Sequence, residues 1–281
     1  PFKFWIALVI MNHKPEIFLE LALKSGASHA EVYQSSSYSR PVFFEANRLK
    51  QLESSQVEGI ALRLWRDNCP GLAVAYGAVN PQQLVDQAIA LSQLNPPEEL
   101  ELTPGSTTIY PKMGQEIGVE TLVETGKNAI ARLREAYPEV LCMGEFECQE
   151  ATNILTNSLG LRCEVTGFSL SYFLGVEWIR GEDFLAVYEG DESRREISTE
   201  NGIQEILKRL QWAEQNTAPL TGKVPVLFTA NAAPLLWNTV AGALNGKMVL
   251  EKSSPWSERL GELVVSEGLT LSQKPDQEPY N

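Results

Sequence analysis

The alternation of apolar and polar positions divides the chain into helical stretches, where apolar residues recur every third or fourth position, and strands, where they recur every second. Pro15 followed by Ile17, Phe18, Leu21, Ala22 and Leu23 predicts an amphipathic helix, with proline in its first turn and Gly26 just past its end as a cap. Strands are expected at Ala30 to Tyr38, Val42 to Ala46, Leu49 to Ser54, Gly59 to Trp65 and Gly71 to Tyr76. The separators Arg40-Pro41, Asn47, Ser54-Ser55 and Asn68 to Gly71 read as turns, which predicts a meander of antiparallel hairpins. A second helix opens at Asn80-Pro81, an N-cap followed by proline, and carries Leu84, Val85, Ala88, Ile89 and Leu91.

Asn95 to Pro111 combines prolines, acidic and polar residues and reads as a linker. Beyond it, Val119, Leu122, Val123, Ala129, Ile130 and Leu133 mark a helix. Long strands follow at Val140 to Thr156 and Leu161 to Ile179, joined by the turn Asn157 to Gly160. Phe168, Leu170, Tyr172, Leu174, Val176 and Trp178 alternate on one face of the second, and that face is expected in the core. A strand at Phe184 to Tyr188 and a helix starting at Ser198 or Thr199 complete this region. Val224 to Thr229 predicts a short buried strand and Ala232 to Leu244 a helix. The chain thus groups into 11–94, a linker over 95–111, a central region over 112–218 and an incomplete C-terminal domain over 222–281. Residues 1–10 are expected to be upstream or non-native, because the first Met is Met11, and truncation at Asn281 is one reading of the unfinished C-terminal domain.

Composition narrows the chemistry. Two histidines in 281 residues, His13 and His29, cannot furnish a triad or a multi-histidine metal site of the chain's own. No self-sufficient catalytic residue is therefore expected. A formal net charge of -13 argues against direct nucleic-acid binding, which needs lysine and arginine to displace counterions. Phe4 to Met11 is apolar but too short to span a bilayer, so no membrane association is expected. Cys69, Cys142, Cys148 and Cys163 lack ligand or disulfide spacing, which suits free thiols in a reducing cytoplasm, with Cys142 and Cys148 buried.

Four segments, in order, resemble the TldD/PmbA family, described as metallopeptidases and as modulators of DNA gyrase. They are Ala22 to Tyr33 (ALKSGASHAEVY), Leu52 to Asp67 (LESSQVEGIALRLWRD) with Gly71, Thr156 to Gly160 (TNSLG), and Pro225 to Lys247 (PVLFTANAAPLLWNTVAGALNGK). The resemblance implies an α+β fold: an N-terminal mixed region with antiparallel sheets and packed helices, then the start of a β-rich C-terminal domain. In the catalytic branch the last segment carries HExxxH, two zinc-binding histidines and a general-base glutamate. Here Trp237, Asn238 and Gly242 stand at the matching positions, so no catalytic residue and no metal ligand carries over. This is similar to the PmbA or TldE branch, which implies a non-catalytic subunit. Its partner would be a zinc-bearing TldD-type subunit, or a second copy in a homodimer, acting on unfolded peptides in proteolysis or peptide maturation. The alternatives are a stand-alone peptide-binding scaffold, or a truncated member without activity.

Other residues carry two readings each. Glu145, Glu147 and Gln149 share a strand face and form either an acid-base pair or a solvated sheet surface. Asp183 with the expected turn Glu189 to Glu192 offers oxygens for Ca²⁺ but not the spacing of a calcium loop. Trp237 and Asn238 are either peptide contacts or, respectively, a core residue and an interface residue. Arg63 and Asp67 read as a structural salt bridge or turn in preference to a binding role.

Overall fold

The computed structural model describes residues 14–215 and 217–272. The expectations for residues 1–10, Met11, His13 and the end at Asn281 lie outside the described residues. Residues 14–214 form one compact unit and the described residues from Gln215 onward a second.

The first unit runs α1 (Pro15–Lys24), β1 (His29–Ser39), β2 (Val42–Glu45), β3 (Arg48–Leu52), β4 (Ser55–Arg66), β5 (Cys69–Tyr76), α2 (Pro81–Ser92) and β6 (Thr107–Ile109). It continues with α3 (Val119–Ala136), β7 (Leu141–Asn157), β8 (Arg162–Arg180), β9 (Asp183–Ser193) and α4 (Glu200–Trp212). Local signals explain several ends. Gly26 adopts φ +94, and the amides of Gly26 and Ala27 close onto Leu23 and Ala22, the glycine stop that the α1 sequence predicts. The Asn80 side chain accepts from the Gln83 amide at 3.2 Å and starts α2.

The nine strands of the described residues join one sheet. The expected meander is corrected by its register. Ser39 opposes Ser55 and Val42 opposes Leu52, so β1–β2 and β4–β3 keep one offset across Arg40-Pro41 and across Glu53-Ser54. They are the two arms of one long hairpin whose turn is Ala46-Asn47, both at positive φ. Pro41 lacks an amide but its carbonyl accepts from Glu53 N at 3.0 Å, so the proline interrupts a strand rather than reversing it. Along its length β7 pairs with β2 and then β1 on one edge, and with β8 on the other. Because β7 lies beyond 95–111, the described residues on both sides of that stretch contribute strands to this one sheet.

The expected linker is tied to the sheet. Within it β6 pairs in parallel with the start of β8, Asn157 Nδ2 donates to Thr103 O at 2.9 Å, and Trp65 Nε1 donates to Glu98 Oε1 at 2.8 Å. Helices cover one face of the sheet. Phe18 and Ala22 of α1 and Leu84, Val85 and Ala88 of α2 bury Val32, Ile60, Leu62 and Leu64. Leu122 and Leu133 of α3 and Ile203, Ile206 and Leu210 of α4 bury Phe146, Cys148 and the predicted Phe168-to-Trp178 face of β8. The α+β class is as expected. No helix among the described residues is long and apolar enough to cross a membrane.

In the second unit, α5 (Pro234–Ala243) and α6 (Gly246–Leu250) are the regular elements, and the described residues there contain no strand. Val224 to Thr229, expected as a buried strand, is exposed and joins no strand. A strand's backbone groups need a neighbour, and apolar character alone does not provide one. Asn245 starts α6 by accepting from the amides of Lys247 and Met248 at 3.0 and 3.3 Å.

Candidate functional site

Trp237, Asn238 and Gly242 lie together on α5. Trp237 N bonds to Ala233 O at 3.0 Å and Leu244 N to Val240 O at 3.0 Å, the spacing of an ordinary α-helix. No residue of α5 is buried, and Trp237 is 37% exposed, so it is not the core residue that its apolar neighbours suggested. Positions five apart on a regular helix diverge by about 140°. Trp237 and Gly242 therefore face different directions. An indole, a carboxamide and an absent side chain supply neither thiolate, imidazole nor carboxylate, so these residues do not fit zinc. Among the described residues no group of three or more His, Cys, Asp and Glu is placed to hold a metal.

The sheet face opposite the helices is the other candidate surface. The β7 residues Glu145, Glu147 and Gln149 sit on it, all half-buried. Glu145 lies between Phe43 of β2 and Phe173 of β8, and Phe173 stacks on Tyr188 at 5.5 Å between ring centres. Burial pushes the Glu145 carboxyl up, and the neighbouring charges of Glu147 and Glu53 push it further the same way. The pair is a partly desolvated surface element, and among the described residues it belongs to no group of three or more His, Cys, Asp and Glu placed to hold a metal.

The Ca²⁺ reading dissolves in the strand geometry. Glu189 to Glu192 is part of β9 and not a turn, so successive side chains point to opposite faces. Asp183 is six residues from Glu189 along that strand, roughly 20 Å away at the usual rise. Arg180 holds Asp183 at 2.6 Å, and Arg209 pairs with Glu189. Arg63 and Asp67 behave as expected. Arg63 lies 3.8 Å from Glu31 and stacks over Trp65 at 4.4 Å, while Asp67 and Asn68, at φ +53 and +62, turn β4 into β5. His29 opposes Trp65 at the sheet's end. All four cysteines are free, with Cys142 and Cys148 buried, and burial pushes the Cys142 thiol up to about 11.

One feature escapes linear reading. A cleft of about 630 Å³ between the β2–β3 hairpin and α3 brings Arg48, Lys127 and Arg134 to its rim. Lys127 and Arg134 are seven apart, on one helix face, and Arg48 comes from a distant hairpin, so no cationic cluster shows along the chain.

Residues 30–92 match the model of PmbA/TldA metallopeptidase domain 1, and residues 221–280 match the PmbA/TldA metallopeptidase C-terminal domain. The chain belongs to the PmbA/TldD family. Solved structures agree in fold. TldE from Thermococcus kodakarensis is 20% identical with a TM-score of 0.73, over 88% of this chain and 58% of that one. Structures described as modulators of DNA gyrase, from Thermotoga maritima and Bacteroides thetaiotaomicron, are each 18% identical. Their TM-scores are 0.70 and 0.69, over 88% of this chain and 58% and 60% of theirs. The chain thus spans about three fifths of the length of these PmbA/TldD-like structures. No curated protein matches it in sequence.

Proposed function

We propose that this PmbA/TldD-family chain acts as the non-catalytic, PmbA/TldE-type partner of a TldD-type zinc metallopeptidase in the proteolysis or maturation of unfolded peptides. The observation that carries the reading is the side-chain set on α5. At the positions that resemble HExxxH stand Trp237, Asn238 and Gly242, which offer no zinc ligand and no general base. Zinc chemistry in the assembly then belongs to the partner, and this chain supplies binding surface. The exposed apolar side chains of the second unit, Leu227, Leu235, Leu236 and Trp237 among them, suit burial against another subunit. A cytoplasmic setting accords with the free thiols.

Co-expression with the TldD-type protein of the same organism tests this. The expected result is a complex that cleaves unfolded peptides and contains zinc, while this chain alone neither binds zinc nor cleaves. Stoichiometric zinc and peptidase activity in the chain alone would overturn the reading, as would failure to associate. The open sheet face favours a second reading, a stand-alone peptide-binding scaffold. A monomer that binds an unfolded peptide saturably and ignores the TldD-type protein would establish that instead.

A further inference from the structure

The cleft between the β2–β3 hairpin and α3 has a definite construction. At Gly126 the helix meets the strand: a Cβ there would lie 2.2 Å from Phe44 Cε2, so only glycine permits this approach. One turn further on, α3 and the hairpin tip diverge, and the wedge between them is floored by Phe44 and Ile130, both in the core. Asn47 holds the tip, because its Oδ1 accepts from Cys142 N at 2.7 Å and its Nδ2 donates to Val140 O at 3.2 Å. The floor is apolar and fixed, and its volume falls within the range of small-ligand sites.

The rim carries the decisive charge. Arg48, Lys127 and Arg134 line it, with Glu135 as the one carboxylate among the described lining residues, in a chain whose formal net charge is -13. Arg48 and Lys127 have no ion pair among the described residues, and Arg134 spends one nitrogen on Pro138 O at 3.3 Å. Three cations against one carboxylate around an apolar floor leave an excess of positive charge that an entering anion offsets.

We propose that this cleft binds a small amphipathic anion, a carboxylate or phosphate held by Arg48, Lys127 and Arg134 with its apolar body on Phe44 and Ile130. The site needs neither the α5 positions nor a partner subunit. Its fate is therefore separate from that of the metallopeptidase reading.

Titration calorimetry on the full chain with N-acetyl-phenylalanine, its uncharged amide and phenyl phosphate tests it. Saturable binding of at least one anion is expected, with the amide weaker by about tenfold or more and affinity falling as salt rises. The ratio of the two anions tells which group the cleft prefers. Lys127→Gln with Arg134→Gln should weaken the anion by about tenfold or more, while Arg132→Gln, on the opposite side of α3 and paired with Glu200, should not. Absence of binding by both anions overturns the proposal. So does equal affinity for the amide, or an affinity that the double variant leaves unchanged while its circular dichroism matches the wild type.

Discussion

The two units use apolar residues in opposite ways. In the sheet unit, alternating side chains from Phe168 to Trp178 all end under α3 and α4, and Phe146 is 0% exposed. In the second unit α5 and α6 bury nothing, with Leu227 and Leu260 at 89% and 97% exposure. The difference shows that an apolar pattern becomes a core only where the chain supplies the opposing surface. The sheet unit has helices for its sheet. Residues 217–272 contain helices with no strand for them to cover.

Truncation in the two regions gives the largest contrast. Phe146→Ala leaves a cavity among Phe44, Tyr172 and Gly126 and should cost about 3–5 kcal/mol in urea unfolding. Leu227→Ala should change it by no more than about 0.5 kcal/mol. A comparable loss at Leu227 would mean that the second unit has a core of its own, and the contrast would fail.

One substitution should have opposite signs in the two units. A Cβ at Gly71 would lie 1.9 Å from Ala88 O in the α2 backbone, so Gly71→Ala must push helix from sheet, at about 1–3 kcal/mol or more. At Gly242 on α5 nothing lies within 4 Å of the added methyl. There Gly242→Ala should favour the helix by roughly 0.5–1 kcal/mol, seen as slower amide exchange across α5. Faster exchange would indicate that α5 packs closely against something at that glycine.

Much of this was readable from the chain because its signals are local. Asn80-Pro81, Gly26 and the Phe168-to-Trp178 alternation each specify their own element within a few residues. What misled was punctuation. Arg40-Pro41 and Ser54-Ser55 look like turns, yet their strands continue in register because pairing with β7 and across the hairpin decides direction. The proline-rich 95–111 stretch reads as free, and the partners that fix it, Asn157, Asn68 and Trp65, are distant or unremarkable in sequence. For the α5 positions, sequence supplied the residue types and structure supplied their exposure. The cationic cleft needed three residues from two elements, which only the fold assembles.

The open sheet face lies between the two extremes of burial, and Glu145 measures it. Its carboxyl is raised first by burial and then by Glu147 and Glu53, so the folded chain holds the proton more tightly than the unfolded chain does. Ionising it therefore works against folding. This contribution is absent at acidic pH, where both states are protonated, grows as pH rises from the ordinary carboxylate range through the raised value, and is constant above it. Glu145→Gln should accordingly stabilise the protein at neutral pH, by an amount on the order of 0.5 kcal/mol or less given its partial exposure, and should change little near pH 3. Glu147→Gln, which removes only the second cause, should give a smaller gain over the same window. If the two variants gain equally, charge repulsion and not desolvation governs this face, and the face then belongs with the exposed surfaces and not with the core.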